Sequence, residues 1–312
     1  MLGAHPALGQ LTETSTRPGP LGPDPEATPT VVVEAPEPRY VAPTLRDRIG
    51  RIWAPVLING KGPFRLVLNT GANSSAIVPS VADKLGISIE ESSKIKINGA
   101  TGAAMVPIVD ADQLEVGELL IERVRLPIVP DVFGGAEGVL GPSGFADMRI
   151  LIDFSQDLIR ISRSHRERAA AGFSRVPLKA NRRQLLMFDM DIGKVRTTAI
   201  LDTGAQQTMG NRSLRNALLR KEQRNIRKQD IVGVTLDVSE GQSIDIPPIT
   251  LGDILVSNVR VNFGNAYIFG YWKLTEEPAI VIGMDLIGTL ETVVIDYKMR
   301  ELQLRARRRQ VE

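Results

Sequence analysis

One turn is written twice in this chain, and each copy follows an apolar run that reads as a strand. The first copy is Leu-Asn-Thr-Gly-Ala at residues 68–72, and the second is Leu-Asp-Thr-Gly-Ala at residues 201–205. They differ in one side chain, because position 69 is asparagine where its counterpart is Asp202. A chain that repeats a turn in equivalent surroundings is expected to fold into two similar units.

The segments around the two turns are repeated as well. Short β-rich runs separated by Gly and Pro occupy residues 52–161, and they recur in the same order after residue 181. Each half closes with an apolar-apolar-Gly element, at 138–141 and at 280–283, that leads into another apolar strand. The sequence therefore predicts an all-β, bilobal fold of two tandem β lobes with short helices, in which each lobe supplies one turn to a shared interface.

Composition divides the chain into five segments. A proline-rich leader covers residues 1–48 and is predicted to be extended and flexible. The N-terminal lobe is predicted at 49–162, a charged and locally helical linker at 163–180, and the C-terminal lobe at 181–306. A basic tail occupies 307–312. We expect a monomer whose two lobes form an internal pseudo-dimer.

The leader bears on localisation. It does not begin with the basic-then-apolar pattern of a secretion signal. Because proline-rich leaders often follow a removed signal or anchor, we predict a periplasmic or otherwise exported protein, and a cytoplasmic one stays open. The sequence also leaves open whether the leader is a propeptide.

Composition excludes several kinds of function. The formal charge of +2 argues against a general nucleic-acid surface. The chain has no cysteine for a disulfide, a thiol nucleophile or a thiolate metal site, and its histidines are His5 and His165, which leave little material for a zinc site or a Ser-His triad. No apolar run approaches the roughly 18 to 20 residues of a membrane span. We expect no metal, cofactor, nucleic-acid partner or membrane span, and carboxylate chemistry remains the common route to hydrolysis.

The repeated turn has the parts that a catalytic carboxylate needs. Such a side chain requires a strand that fixes its position, a hydroxyl that locks the loop and a glycine where the chain bends tightly. Thr70 and Thr203 supply the hydroxyls, and Gly71 and Gly204 supply the bends. A single Asp-Thr-Gly tripeptide is often an ordinary capped turn. Two copies at equivalent points of a repeated β unit indicate a functional site at which the turns meet.

With these residues the chain resembles the pepsin and retropepsin clan of aspartic endopeptidases, and more closely the bacterial single-chain proteins with two retropepsin-like lobes. The resemblance covers about residues 52–305. Its specific parts are residues 64–76, 138–141, 199–208 and 279–286. It implies a polypeptide substrate, a cleft between the lobes and a water held between two turn carboxylates.

The resemblance also implies roles for individual residues. It makes Asp202 the catalytic base and position 69 the place of the partner carboxyl. It implies that Thr70 and Thr203 hydrogen-bond across the lobe interface. The residues implied to form flaps over the cleft are Gly99, Gly102, Ser239 and Gly241.

Asn69 departs from the family pattern at the catalytic position. Its carboxamide is nearly isosteric with a carboxylate, but it cannot carry the negative charge or exchange the shared proton. We therefore expect an aspartic endopeptidase whose activity is lowered by several orders of magnitude. Two explanations stay open: an introduced or very recent Asp→Asn change in a protease, or a native asparagine in a non-catalytic peptide-binding protein that uses the same cleft.

Three further features have ordinary structural interpretations. Asp189 and Asp191 alternate along a strand and are predicted to lie on its solvent face rather than to bind a metal. Asp153 and Asp296 stand at matched strand positions and are predicted to cap turns. The aromatic cluster at 267–272 is predicted to lie on a loop, where it packs into the core or forms the wall of a substrate subsite.

Overall fold

The computed structural model of the chain describes residues 31–34, 50–179, 185–219, 227–232 and 238–307. Most of the predicted leader lies outside these ranges, as does the predicted basic tail except for its first residue. The described part is built mainly of strands with short helices. The predicted all-β, bilobal fold is confirmed.

The strands, in chain order, are β1 (Val31–Glu34), β2 (Trp53–Ile58), β3 (Lys61–Leu68), β4 (Ala76–Ile77), β5 (Lys94–Asn98), β6 (Ala103–Val116), β7 (Leu119–Pro127), β8 (Gly138–Leu140), β9 (Met148–Asp153), β10 (Leu158–Arg163), β11 (Ser174–Pro177), β12 (Leu186–Ile192), β13 (Val195–Leu201), β14 (Met209–Gly210), β15 (Arg227–Val232), β16 (Val238–Asp245), β17 (Ile249–Leu251), β18 (Ile254–Ser257), β19 (Arg260–Gly264), β20 (Ala279–Ile282), β21 (Leu290–Asp296) and β22 (Glu301–Ala306). The helices are α1 (Pro79–Leu85), α2 (Arg212–Leu219), α3 (Tyr267–Tyr271) and α4 (Met284–Ile287), with a 3-10 turn at Phe145–Asp147.

The strands follow the period-2 pattern of half-buried sheets. In β12 the apolar side chains alternate inward, so that Phe188 and Met190 are buried while Asp189 and Asp191 are exposed. Asp189 forms ion pairs with Lys179 at 2.6 Å and with a neighbouring arginine at 3.2 Å. The predicted solvent-facing position of the two aspartates is thus confirmed.

Each lobe is organised around its own sheet. The N-terminal lobe has a seven-stranded sheet in the order β4-β8-β3-β2-β6-β5, with β7 paired to β6. The C-terminal lobe has a ten-stranded sheet in the order β1-β18-β17-β12-β13-β20-β14-β19-β16-β15. In both sheets the strand before the repeated turn pairs in parallel with the strand of the apolar-apolar-Gly element, β3 with β8 and β13 with β20.

A third sheet joins the lobes. Its order is β10-β9-β21-β22-β11, so strands that close the first half of the chain pair directly with strands that close the second. Strand β9 runs antiparallel to β21, with Leu151 opposite Val294 and Ile150 opposite Ile295. We call this the shared sheet, because neither half of the chain contains it alone.

The segment predicted as a locally helical linker contributes to the shared sheet. The expectation of a helix is wrong, since residues 163–179 contain none and Ser174–Pro177 forms β11. Its side chains alternate between buried and exposed, and Ser174 lies opposite Leu304 of β22. Pairing with the open edge of β22 therefore determines the structure at Ser174–Pro177, rather than the helical preference of the alanines that precede it.

The aspartates at matched strand ends cap turns, as predicted. Asp153 Oδ1 accepts hydrogen bonds from the backbone N–H groups of Ser155 and Gln156, at 2.9 and 3.0 Å. Asp296 Oδ1 accepts one from the N–H of Met299 at 2.8 Å. Each carboxylate closes the hairpin that follows its strand.

A single cluster of buried apolar side chains runs through both lobes and the shared sheet. It includes Leu66 and Leu140 in the N-terminal lobe, Ile150 in the shared sheet, and Ile192 and Ile280 in the C-terminal lobe. The lobes are therefore expected to unfold together. None of the helices in the described ranges is long and apolar enough to cross a membrane.

We predict that Ile150→Ala destabilises both lobes equally. Ile150 is fully buried in the shared sheet, and truncation should cost about 3 kcal/mol. Trp53 and Trp272 lie in different lobes, so Trp53→Phe and Trp272→Phe backgrounds let fluorescence follow each lobe through urea unfolding. The two midpoints should fall together.

The control for this experiment is Leu120→Ala, because Leu120 is 54% exposed and its truncation should change stability by less than about 0.5 kcal/mol. Two separate transitions, of which only the N-terminal one moves with Ile150→Ala, would contradict a shared core.

Candidate active site

The two repeated turns begin at the ends of paired parallel strands. The N–H of Asn69 donates to the carbonyl of Leu140 at 3.0 Å, and the N–H of Asp202 donates to the carbonyl of Ile282 at 3.0 Å. The same main-chain contact therefore fixes both turns beside the apolar-apolar-Gly elements. Residues 69 and 202 occupy equivalent positions in their lobes.

Reciprocal hydrogen bonds between Thr70 and Thr203 join the turns. The N–H of each threonine donates to the hydroxyl of the other, at 3.2 and 3.1 Å. The Thr70 hydroxyl donates to the carbonyl of Leu201 at 2.7 Å, and the Thr203 hydroxyl donates to that of Leu68 at 2.6 Å. Both threonines are fully buried. The hydrogen bonds across the lobes that the resemblance implied are present.

The side chains of Asn69 and Asp202 lie in similar backbone cradles. Asn69 Oδ1 accepts hydrogen bonds from the N–H groups of Gly71 and Ala72, both at 2.9 Å. Asp202 Oδ1 accepts one from the N–H of Gly204 at 2.8 Å. The carboxamide thus makes with one oxygen the contacts that a carboxylate would make.

Each turn glycine packs against the opposite turn. A Cβ atom placed on Gly71 would overlap the carboxylate of Asp202, and one placed on Gly204 would overlap the carboxamide of Asn69. Glycine is required here because the two side chains approach the backbone of the other lobe. This close approach brings residues 69 and 202 to the same point of the molecule.

Burial raises the pKa of Asp202 above its ordinary value of 3.8. Hydrogen bonds from the backbone N–H groups of Gly204, Ala205 and Gly71 oppose this effect, as does the positive charge of Arg51. Burial prevails, so Asp202 keeps its proton to a higher pH than an exposed aspartate does.

A cavity of about 710 Å³ opens above the two turns. Residues from both lobes line it, and Asn69 and Asp202 are among them. Apolar walls are formed by Val67 and Val139 on one side and by Val281 on the other. The volume falls within the range of roughly 300 to 1,000 Å³ that is usual for ligand sites.

The hairpin of β5 and β6 covers this cavity. Residues 95–100 line it, and the predicted flap residue Gly99 is among them. Gly102 is not a lining residue, but its carbonyl accepts a hydrogen bond from the N–H of Gly99 at 2.8 Å and so closes the hairpin turn. We call this hairpin the N-terminal flap.

The second predicted flap differs from its expected form. Ser239 and Gly241 lie within strand β16, opposite Ile231 and Gln229 of β15, rather than in a turn. Residues 233–237, which connect β15 to β16 in the sequence, lie outside the described ranges. The glycine at 241 suggested a turn, but it pairs within a regular ladder. Gly241 does not line the cavity.

The aromatic cluster forms helix α3 rather than a loop, and the N-terminal flap rests on it. The N–H of Ile268 donates to the carbonyl of Ala100 at 3.3 Å, and the Tyr267 hydroxyl donates to Asn98 Oδ1 at 3.1 Å. Phe269 is buried, whereas Tyr271 and Trp272 line the cavity. The cluster therefore combines the two predicted roles, core packing and cavity wall.

Sequence reasoning missed one residue of the site, Arg51, and gave no catalytic role to Asp285, which supports the second turn. Arg51 is 6% exposed and lines the cavity, and its guanidinium carbon lies 5.5 Å from the centre of the Phe133 ring. Asp285 accepts hydrogen bonds from the N–H and hydroxyl of Thr208, at 2.9 and 2.7 Å, and so supports the second turn. Comparison of the two halves gives no signal for Arg51, since Leu185, at the matched position of the second half, does not line the cavity.

Among the described residues, no group of three or more His, Asp or Glu side chains is placed to hold a metal ion.

We predict that Thr70→Val destabilises the chain by about 3 kcal/mol. The substitution leaves the carbonyl of Leu201 and the N–H of Thr203 buried without their partner. Urea unfolding measures the loss. Thr197→Val is the matched control, because the buried Thr197 hydroxyl bonds only locally to Val195 and its loss should cost about 1 kcal/mol. Equal losses of free energy of unfolding in the two variants would contradict a larger contribution from the hydrogen bonds across the lobes.

We also predict a pH signature for Asp202. Because its pKa in the folded chain is raised, its contribution to stability is present in full at low pH and is lost as the pH rises through that pKa. Relative to Asp202→Asn, the unsubstituted chain should therefore lose free energy of unfolding as the pH rises above about 4. Urea titrations across this range give the free energy of unfolding of the unsubstituted chain minus that of Asp202→Asn. This quantity should fall as the pH rises, and a rise with pH would contradict a raised pKa.

Comparisons with known proteins give one matching family model. The family described as gag-polyprotein putative aspartyl protease matches residues 54–146, which contain the first turn. A retropepsin-like aspartic protease from Rickettsia conorii is 18% identical over 31% of this chain and 78% of that one, with a TM-score of 0.26. A search of curated proteins found no match. The family match to the N-terminal lobe confirms that the chain is similar to the retropepsin-like aspartic proteases.

Proposed function

We propose that the chain binds extended polypeptide across the two turns, and that it is an aspartic endopeptidase disabled at the hydrolytic step by Asn69. One observation carries the proposal: Asn69 accepts backbone hydrogen bonds within its turn as Asp202 does within the other turn, and it packs against Gly204. The backbone arrangement of a site with two carboxyl groups is therefore retained. The proposal concerns what this frame binds and what it lacks.

The cavity supports binding of a polypeptide as an added strand. The N-terminal flap covers it from above, and the turns form its floor. A peptide in this position can form main-chain hydrogen bonds with the flap, while the apolar walls accept its side chains. Affinity would then come largely from the peptide backbone, and preference from the pockets.

Hydrolysis by this kind of site needs a base and an acid. One carboxylate takes a proton from the attacking water, and a protonated partner donates to the carbonyl oxygen of the peptide bond. Asp202 can supply one of these groups. The carboxamide of Asn69 can donate a neutral hydrogen bond but cannot transfer a proton. The bound peptide would therefore remain intact.

A non-catalytic peptide-binding protein is the second candidate. The observation that favours it is the fit of Asn69 itself, whose Oδ1 accepts hydrogen bonds from the N–H groups of Gly71 and Ala72. An asparagine that fits in this way is compatible with a native binding role. The two candidates use the same cleft and differ only in whether the Asn69→Asp variant hydrolyses peptide bonds.

Cleavage of casein, an unstructured protein, by this chain and by Asn69→Asp distinguishes the candidates, measured from about pH 3 to about pH 8. We expect Asn69→Asp to cleave at least about a thousandfold faster than the unsubstituted chain, since it restores a member of a cooperating pair. Asn69→Asp combined with Asp202→Asn is the control, and it should be inactive. If a folded Asn69→Asp cleaves neither casein nor a peptide library, the endopeptidase is excluded and the binding protein is favoured.

A further inference from the structure

The part of the cavity wall that follows the second turn carries three carboxamide side chains. Gln206 and Gln207 come shortly after the turn, and Asn262 lies in β19, where it pairs with Met209 of β14. All three carboxamide residues line the cavity. They belong to the C-terminal lobe, so a peptide that crosses the two turns meets them on one flank. We call these three residues the carboxamide wall.

The matched wall of the N-terminal lobe offers a ligand fewer polar groups. Counted from the turns, Gln206 and Gln207 correspond to Asn73 and Ser74, which also line the cavity. The Asn73 carboxamide is engaged with the other lobe, because its Nδ2 donates a hydrogen bond to the Tyr271 hydroxyl at 3.3 Å.

The place of Asn262 is taken by Pro127 in the N-terminal lobe. The residue after each of them forms a parallel bridge with the residue eight positions beyond 69 or 202, at 77 and at 210. Pro127 lines the cavity as Asn262 does, but its side chain neither donates nor accepts a hydrogen bond. The two flanks of the site therefore differ at matched positions that both face the cavity.

Two side chains of the carboxamide wall have unused hydrogen-bonding capacity. The Gln206 carboxamide is half-buried and has no hydrogen-bond partner in the part of the chain that the structure describes. Asn262 is 6% exposed, and its Nδ2 donates to Gln207 Oε1 at 2.7 Å. Its Oδ1 is buried and has no partner within the described ranges. Because buried polar atoms in proteins are nearly always hydrogen-bonded, an unpaired one in the wall of a cavity points to a donor on the ligand.

We propose that Gln206 and Asn262 make the cleft selective for polypeptides that carry Gln or Asn on the flank of the carboxamide wall. A ligand carboxamide has both an N–H donor and a carbonyl acceptor, so it can donate to Asn262 Oδ1 or pair with the carboxamide of Gln206. This inference names the substrate class of the cleft and rests on the proposed polypeptide binding.

Other side chains fit this wall less well. An apolar side chain in the same place leaves the polar groups unpaired, and a site built to hydrogen-bond its ligand rejects an analogue that lacks the polar group. A carboxylate offers acceptors only, and its charge is costly to remove from water among neutral groups. The wall therefore favours a neutral side chain that can donate.

An alternative role for Asn262 is to hold Gln207 in place through the hydrogen bond from Nδ2, without any contact with a ligand. That role would change the binding of every peptide alike, whatever side chain the peptide carries. The experiment must therefore compare peptides that differ in one side chain only.

Binding of three sets of capped octapeptides to the unsubstituted full chain tests the proposal. The sets have random sequences without Gln or Asn, and they differ in Gln, Met or Glu at one fixed position, which is moved from the first residue to the last. Gln and Met have similar lengths, and neither is charged. We expect the Gln set to bind about tenfold more tightly than the Met set, and more tightly than the Glu set, at positions on one flank only.

Three variants assign this preference to the wall. Gln206→Met and Asn262→Leu each remove one carboxamide at similar size, and each should lower the ratio of Gln to Met binding to about threefold. Asn73→Leu is the matched control, because it removes the carboxamide that corresponds to Gln206 on the other flank, and it should leave the ratio unchanged. Urea unfolding verifies that each variant is folded. If Asn262→Leu does not fold, the half-buried Gln206→Met decides the question.

The outcomes separate this inference from the proposed function. Peptide binding with no Gln preference, with the same preference on both flanks, or with Glu bound as tightly as Gln overturns the selectivity and leaves polypeptide binding in place. A ratio that stays unchanged in Gln206→Met and in folded Asn262→Leu, while all sets bind more weakly, identifies a structural role only and also overturns it. Absence of binding by all sets to the folded chain overturns both proposals.

Discussion

The reciprocal hydrogen bonds of Thr70 and Thr203 set the geometry on which the site depends. They are buried and join residues more than 130 positions apart in the chain. Water cannot replace them, so their loss would leave unpaired main-chain groups in the interior. Because each threonine bonds to the turn of the other lobe, the separation of Asn69 and Asp202 is fixed by the fold rather than by a ligand. The cavity and its covering flap are built around that fixed distance.

Asn69 shows that the fold and the reaction make different demands on one position. The fold requires an oxygen that accepts hydrogen bonds from Gly71 and Ala72, and a carboxamide provides it. The reaction requires a group that exchanges a proton, and a carboxamide does not. Replacing a carboxylate by a carboxamide at this position can therefore leave the structure nearly unchanged and still remove the group that exchanges a proton. This separation explains how the turn can keep its threonine and glycine beside a residue that has no ionisable group.

Much of the fold could be predicted because its elements follow from short sequence patterns that occur in both halves of the chain. The alternation in β12, the two turns and the apolar-apolar-Gly elements all depend on short stretches of sequence. The features that were missed depend on distant partners. Strand β11 exists because β22 offers an edge, and the place of Arg51 in the cavity follows from the pairing of Ile52 with Leu68. The turn predicted at Gly241 was wrong for the same reason, since the pairing of β16 with β15 cannot be inferred from the residues next to Gly241.

The contact between the N-terminal flap and α3 has a consequence for how a polypeptide reaches the turns. The lobes are joined by the shared sheet and, at the N-terminal flap, by hydrogen bonds that the Ile268 N–H donates to the Ala100 carbonyl and the Tyr267 hydroxyl donates to Asn98 Oδ1. With both connections in place the cavity is bridged by the hairpin, so a polypeptide bound as proposed would have to pass beneath this bridge or enter when the hairpin lifts. Threading admits loose ends and unfolded tails but excludes loops on the surface of a folded domain. Under the proposed function, the flap contact would therefore favour unfolded ligands over folded ones, independently of their side chains.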